Sequence, residues 1–244
     1  MLSERGLARG HTNLWLSCAP RLNEQLINRL HQSPSELIGI KNWAMPYEGK
    51  SPSRHNDVIA EVAFGIFNHL VEENSSVITK ISEEKTNLII QHAIKQLAII
   101  RGGTGFPREW FSSEHLEDAT LLASRLSDQL QNDREQILVH PRLEGLGMLA
   151  SCHPDIIHGR QLSEVKMSKY GFRTQDIRQL IVYAMLAWYQ GIELDTLALI
   201  NPRLGVTWQF SSDNLAFLVS NDSAIMLFQQ LQEYLTGDSI DRWM

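Results

Sequence analysis

The sequence predicts an α/β fold, a mixed central β-sheet flanked by helices with a helical N-terminal part. Apolar residues recur at helical spacing over residues 57–131, switch to short strand-like runs from Ile137, and return to helical spacing over Thr174 to Gln190. A helix set between two groups of strands is a crossover, the connection that places parallel strands in a sheet that also holds hairpins. The 244 residues, 43% hydrophobic and 20% charged, are enough for one sizeable core. We expect residues 57–244 to form that domain and residues 1–56 to be an N-terminal extension.

The elements follow in order. Leu22 to Leu30 reads as a short amphipathic stretch, and Asn42 to Asn56, with two prolines, a glycine and several charges, as loop. Ile59, Val62, Ala63, Ile66, Phe67, Leu70 and Val71 make one helical stripe behind an Asn56 or Asp57 N-cap. A second helix over Glu83 to Ile100 ends at Arg101-Gly102-Gly103-Thr104-Gly105-Phe106-Pro107, which lacks the Gly-Lys-Ser/Thr ending of a phosphate loop and reads as a terminator. Ser113 to Gln131 is a third helix. Strands are expected at Ile137 to Val139, Gly147 to Ala150, Asp155 to Ile157 and Leu162 to Met167. Beyond the crossover helix, Thr196 to Ile200 is a buried strand, Val206 to Phe210 and Leu215 to Val219 a hairpin, and Asp222 to Leu235 a closing helix.

Composition narrows the function. A net charge of −6 argues against a general nucleic-acid coat, although a local basic patch can still bind a phosphate backbone. Two isolated cysteines, Cys18 and Cys152, give neither a disulfide framework nor, alone, a metal cluster, and fit a reducing, cytoplasmic setting. The longest apolar run, Leu180 to Tyr189, is about half of the ~20 residues a membrane span needs, so no membrane association is expected.

The informative stretch runs from His153 to Lys166. If Gly159-Arg160 is a two-residue turn with glycine first, His158 pairs with Gln161 and the same register sets Asp155 opposite Glu164. Facing carboxylates repel unless a cation lies between them. Lys166 emerges on the Glu164 face, while Val165 and Met167 point into the core. Two carboxylates and an ammonium suit Mg²⁺ or Mn²⁺, which prefer oxygen ligands. The plain alternative is a surface hairpin with solvated charges.

Pro154-Asp155, Glu164-Val165-Lys166 and the Gln179-Leu180-Ile181-Val182-Tyr183 run of the next helix resemble the PD-(D/E)xK phosphodiesterase superfamily, and the Gln-x-x-x-Tyr helix resembles its RecB-like exonuclease branch. The resemblance covers roughly residues 57–200. It implies a restriction-endonuclease-like core, Asp155 and Glu164 as metal ligands, Lys166 as catalytic, and Gln179 and Tyr183 holding nucleic acid. The branch also carries a Gly-x-x-x-His element, matched here by Gly65 to His69, which implies His69 as a further metal ligand. Glu61, Gly65 and His69 fall on one helical face. Lys169, Arg173 and Arg178 add positive charge at the strand-to-helix connection, and we expect Lys169 and Arg173 to meet the phosphate backbone. His140, Glu144 and His153 stand close by in sequence without a spacing that assigns them a role.

The resemblance thus implies a Mg²⁺- or Mn²⁺-dependent nuclease hydrolysing DNA, a catalytic module of a repair, restriction or antiviral defence complex. The chain shows no helicase motor or DNA-reading module, so a protein partner would supply specificity or motor activity. Trp15, Trp43 and Trp243, outside the core pattern, are candidate contacts for it. The alternatives are a scaffold or nucleic-acid-binding subunit that kept the fold without the chemistry, and an enzyme acting on RNA.

Overall fold

The computed structural model describes residues 1–32, 38–74, 81–100, 102–103, 106–130 and 136–237. Arg101, Thr104 and Gly105 of the glycine-rich turn, Gln131 at the expected end of the third helix, and Trp243 lie outside the described residues.

Six strands form one mixed sheet: β1 (Gly39–Asn42), β2 (Ile137–Val139), β3 (Ile156–His158), β4 (Gln161–Val165), β5 (Thr196–Asn201) and β6 (Val206–Phe210), in the spatial order β1-β6-β5-β4-β3-β2. Only β4 and β5 pair in parallel; the other neighbours are antiparallel. The parallel pair requires a long connection, and helix α7 (Thr174–Tyr189) supplies it.

Side-chain alternation divides the core into two layers. Ile157, Leu162, Leu197, Leu199, Trp208 and Phe210 face α7 and the helices beside it. These are α1 (Glu4–Arg9), α2 (Thr12–Cys18) and α3 (Glu24–Gln32) from the N-terminus, and α8 (Ser212–Ser220) and α9 (Ala224–Thr236) from the C-terminus. Ile156, Val165, Met167, Ala198 and Ile200 face the other way, onto α4 (Asn56–Glu72), α5 (Glu83–Ile100) and α6 (Ser113–Leu130). The predicted stripe of α4 is that contact: Ile59, Val62, Ala63, Ile66, Phe67 and Leu70 are buried.

The structure corrects the sequence reading in four places. Residues 1–32 and 38–42 are not an appendage, because Leu7, Leu14, Trp15 and Cys18 are core residues and β1 completes the sheet against β6. Trp15 is 1% exposed with its indole N–H donated to the Leu7 carbonyl, so it is no contact surface; Trp43 is half-buried, with its indole N–H donated to Thr207 Oγ1. Leu215 to Val219 is helix, not strand: Ser211 caps α8 by accepting from the Asn214 N–H, and Asn221 ends it in the left-handed region at φ 68°. Gly147 to Ala150 is no strand of the sheet: Gly147 and Met148 form a turn, Leu149 makes only isolated bridges to Leu146 and Leu2, and the Met148 N–H bonds the Leu235 carbonyl at the end of α9.

No helix among the described residues is long and apolar enough to cross a membrane. Cys18 and Cys152 are free, buried thiols, each pushed up to about 12 chiefly by burial.

Candidate active site

The β3–β4 hairpin turns as its sequence predicts. His158 pairs with Gln161, Ile157 with Leu162 and Ile156 with Ser163, and Gly159 takes φ +54°, which a side chain would strain. Continued one step past β3, this register sets Asp155 against Glu164. Asp155 Oδ2 then accepts a 2.7 Å hydrogen bond from the Val165 N–H, which fixes the carboxylate at the open end of the hairpin.

Glu164 points from the α7 face of β4 and is only 2% exposed. Its Oε1 accepts from Lys166 Nζ at 2.8 Å, while Oε2 is buried without a hydrogen-bond partner. Lys166 Nζ is also held by Gln179 Oε1 at 3.0 Å and lies 3.6 Å from Asp176 Oδ1. Asp176 in turn accepts from the Arg173 N–H through Oδ2, closing the first turn of α7. Gln179 Nε2 donates to the Tyr183 hydroxyl at 2.9 Å, and that hydroxyl reaches the His153 carbonyl at 3.5 Å. One chain of hydrogen bonds therefore runs from Glu164 through Lys166 and Gln179 to Tyr183.

The electrostatics are those of two carboxylates sharing too little positive charge. Burial and the neighbouring Asp155 raise Glu164 to about 8, against the partial opposition of Lys166. Burial also raises Asp155, again opposed by Lys166 and by the Val165 hydrogen bond. Lys166 behaves inversely: burial would lower it, but Glu164, Asp176 and Asp155 outweigh that and raise it. Lys166 is thus a fixed cation rather than a proton acceptor.

Asp155, Glu164, Lys166, Gln179 and Tyr183 come together as the sequence predicts. Gln179 and Tyr183 are 4% and 2% exposed, with their polar atoms directed at Lys166 and the His153 carbonyl. Lys169 and Arg173 are exposed at the strand-to-helix connection. Arg178 instead turns back under α1, with its guanidinium 5.3 Å from the Trp15 ring and a long bond to the Ala8 carbonyl.

His69 does not join the carboxylates. Among the described residues no group of three or more His, Cys, Asp or Glu side chains is placed to hold a metal ion, and Gly65 serves packing: a Cβ there would sit 2.7 Å from Ile89 Cγ2 on α5. The imidazole beside Asp155 is His140, whose Nε2 lies 3.8 Å from Asp155 Oδ1 and whose ring stacks on Phe64 at 4.8 Å. His140 sits at φ 49°, a backbone conformation uncommon outside glycine, with its N–H bonded to the Asp155 carbonyl. Burial lowers its pKa, so it is neutral at pH 7. Arg5 on α1 also bears on the site; burial would lower its pKa, but Glu164, Tyr183 and Asp155 outweigh this and raise it. No spacing signal marked either residue, because each arrives from a separate element. Glu144 remains outside, exposed and paired with Arg142.

The donor set fits a divalent cation of the magnesium type. Glu164 Oε2, buried without a partner next to Asp155, is satisfied either by a proton shared between the two carboxyls or by added positive charge. Two protein carboxylates match an ion that keeps several waters. Neither a protein-family model nor a curated protein matches this chain.

Proposed function

We propose that the chain is a Mg²⁺- or Mn²⁺-dependent phosphodiesterase that hydrolyses DNA on a restriction-endonuclease-like core. The observation that carries this reading is the donorless Oε2 of buried Glu164 beside Asp155, with Lys166 locked next to both. The antiparallel β3–β4 hairpin, the parallel β4–β5 pair and the α7 crossover agree with such a core.

Asp155 and Glu164 would hold the ion. When bound, it supplies Lewis-acid polarisation of a phosphoryl oxygen and acidifies a water. Lys166, kept protonated by three carboxylates, offers fixed positive charge where the phosphorane becomes more negative. Gln179 also accepts from that ammonium, and Asp176 ties it to the start of α7. Arg5 adds a second cation from α1, and neutral His140 borders Asp155.

Cleavage of linear and circular, single- and double-stranded DNA in Mg²⁺ and in Mn²⁺, with Lys166→Ala alongside, tests the proposal. Metal-dependent cleavage lost in the variant supports it; a folded wild type that binds the ions and cleaves none of these substrates overturns it.

A further inference from the structure

A cleft of about 560 Å³ opens between α1, α3 and the start of α7, the helix that also carries Asp176 and Gln179. Its lining includes Arg9, Asn28, Tyr170, Arg173 and Arg178, with Glu24 its single carboxylate among the described residues. On a chain of net charge −6 this concentration of arginine is a local reversal of sign. Arg9, one turn beyond Arg5 on α1, brings its side chain to the cleft. Arg173, at the N-cap of α7, borders the cleft from the helix that carries Asp176 and Gln179.

Tyr170 gives the cleft an aromatic wall. The ring is 55% exposed, and Lys169 Nζ and the Arg173 guanidinium each lie 5.4 Å from its centroid. The loop bearing it is pinned: His31 Nε2 bonds the Phe172 carbonyl at 3.0 Å, and a Cβ on Gly171 would fall 2.3 Å from the His31 ring. The platform is therefore built into the fold by α3.

We infer that this cleft binds single-stranded nucleic acid, holding the strand that runs into the Asp155–Glu164 site. Guanidiniums neutralise successive phosphates, and an exposed aromatic ring stacks on a base that duplex pairing would keep in its own stack. The inference rests on the phosphodiesterase reading for its strand path, not for the binding itself.

Binding without cleavage tests it. Full-length Lys166→Ala protein in EDTA is titrated, by fluorescence anisotropy, into labelled oligo-dT and oligo-U of about 15 nucleotides, near the upper end of single-strand site sizes, and into a blunt duplex of the same length. Both single strands are expected to bind about tenfold or more tightly than the duplex. Arg9→Glu with Tyr170→Ala, both at exposed positions, should weaken single-strand binding by about tenfold or more and leave duplex binding within about twofold. The milder pair Arg9→Gln and Tyr170→Leu should do the same to a lesser degree, with circular dichroism confirming the fold. Equal affinity for strand and duplex, or single-strand binding indifferent to folded variants, overturns the inference. Failure of the wild type to cleave in Mg²⁺ or Mn²⁺ while single strands still bind would overturn the phosphodiesterase reading alone.

Discussion

Two buried carboxylates, one in each layer of the molecule, are treated in opposite ways. Asp118 on α6 is fully buried and accepts from the Tyr47 hydroxyl at 2.6 Å and from the Lys50 and Ser51 N–H groups at 3.0 Å. Burial would raise its pKa, yet those hydrogen bonds outweigh it and hold the group below 3.8. Glu164, equally hidden, receives one ammonium, faces a second carboxylate and is raised to about 8. A carboxylate that the fold satisfies completely fastens a loop to a helix. One that the fold leaves incomplete is poised for something the chain does not itself provide.

Deleting each group gives the largest effects and separates the two kinds. Asp118→Ala removes the acceptor of three donors and should destabilise the protein by about 3–5 kcal/mol, read from urea unfolding. Glu164→Gln keeps the shape and replaces a carboxyl that the metal-free fold must keep protonated up to about pH 8, so metal-free stability at pH 7 should be unchanged or higher, with Tm rising about 2–4 °C for each kcal/mol gained. Cleavage should fall by about 10²–10³-fold or more in Glu164→Gln, Asp155→Asn and Lys166→Ala, since each removes charge at the reacting phosphate. Equal destabilisation by the Asp118 and Glu164 changes would break the comparison.

Acidity is the next lever. Glu164 keeps a proton in the folded state up to about pH 8, whereas in the unfolded chain it releases it near its ordinary 4.5. The folded state binds more protons across that window, so this group makes metal-free stability fall as pH rises from 4.5 towards 8. Asp118 acts in the opposite sense: its contribution is full above its ordinary 3.8 and is lost as pH falls through its lower folded value. Mg²⁺ must displace the proton from the Glu164 pair, so its apparent affinity should rise by about tenfold per pH unit up to about pH 8, then level. Calorimetric titration between pH 6 and 9 measures it. A flat profile would mean that Asp155 and Glu164 do not hold the ion.

The parts legible in the sequence were those encoded by neighbours in the chain. The α5 limits, Glu83–Ile100, and the β2 limits, Ile137–Val139, fall where periodicity puts them, and the Gly159-Arg160 turn sets the register that brings Asp155 to Glu164. Helices α1 and α2, of 6 and 7 residues, are too short to show a stripe, and β1 exists by pairing with β6. The run Leu215 to Val219 fits either period, and the Ser211 cap decides for helix. At the site, Lys166 is two residues from Glu164 and could be read; Arg5 and His140 meet it only through the packing of α1 on α7 and the end of β2. His69 matched a motif whose glycine here makes room for α5.

Gln179 sharpens the contrast between holding a lysine and holding a ligand. Gln179→Ala removes one acceptor from Lys166 and the donor to Tyr183. If Gln179 positions Lys166, kcat should drop by about tenfold, in proportion to one neutral hydrogen bond to a charged group, with KM nearly unchanged. A raised KM at constant kcat would place Gln179 on the nucleic acid instead.

The smallest effect expected is at Tyr183, the far end of that chain. Tyr183→Phe removes only a hydroxyl, and Gln179 Nε2 then loses its acceptor in a buried place. The long 3.5 Å reach to the His153 carbonyl contributes little. The ring still packs against the α7 side of the core, so stability should fall by only about 1 kcal/mol. Because Gln179 Oε1 still faces Lys166, the ammonium keeps its Glu164 and Asp176 partners and loses only some orientational restraint. The rate should therefore drop about two- to fivefold, entirely in kcat, with the pH dependence of Mg²⁺ binding unchanged. A drop as large as that of Lys166→Ala would show that the Tyr183 hydroxyl itself reaches the reacting phosphate, and the hydrogen-bond chain would then be part of the chemistry rather than its support.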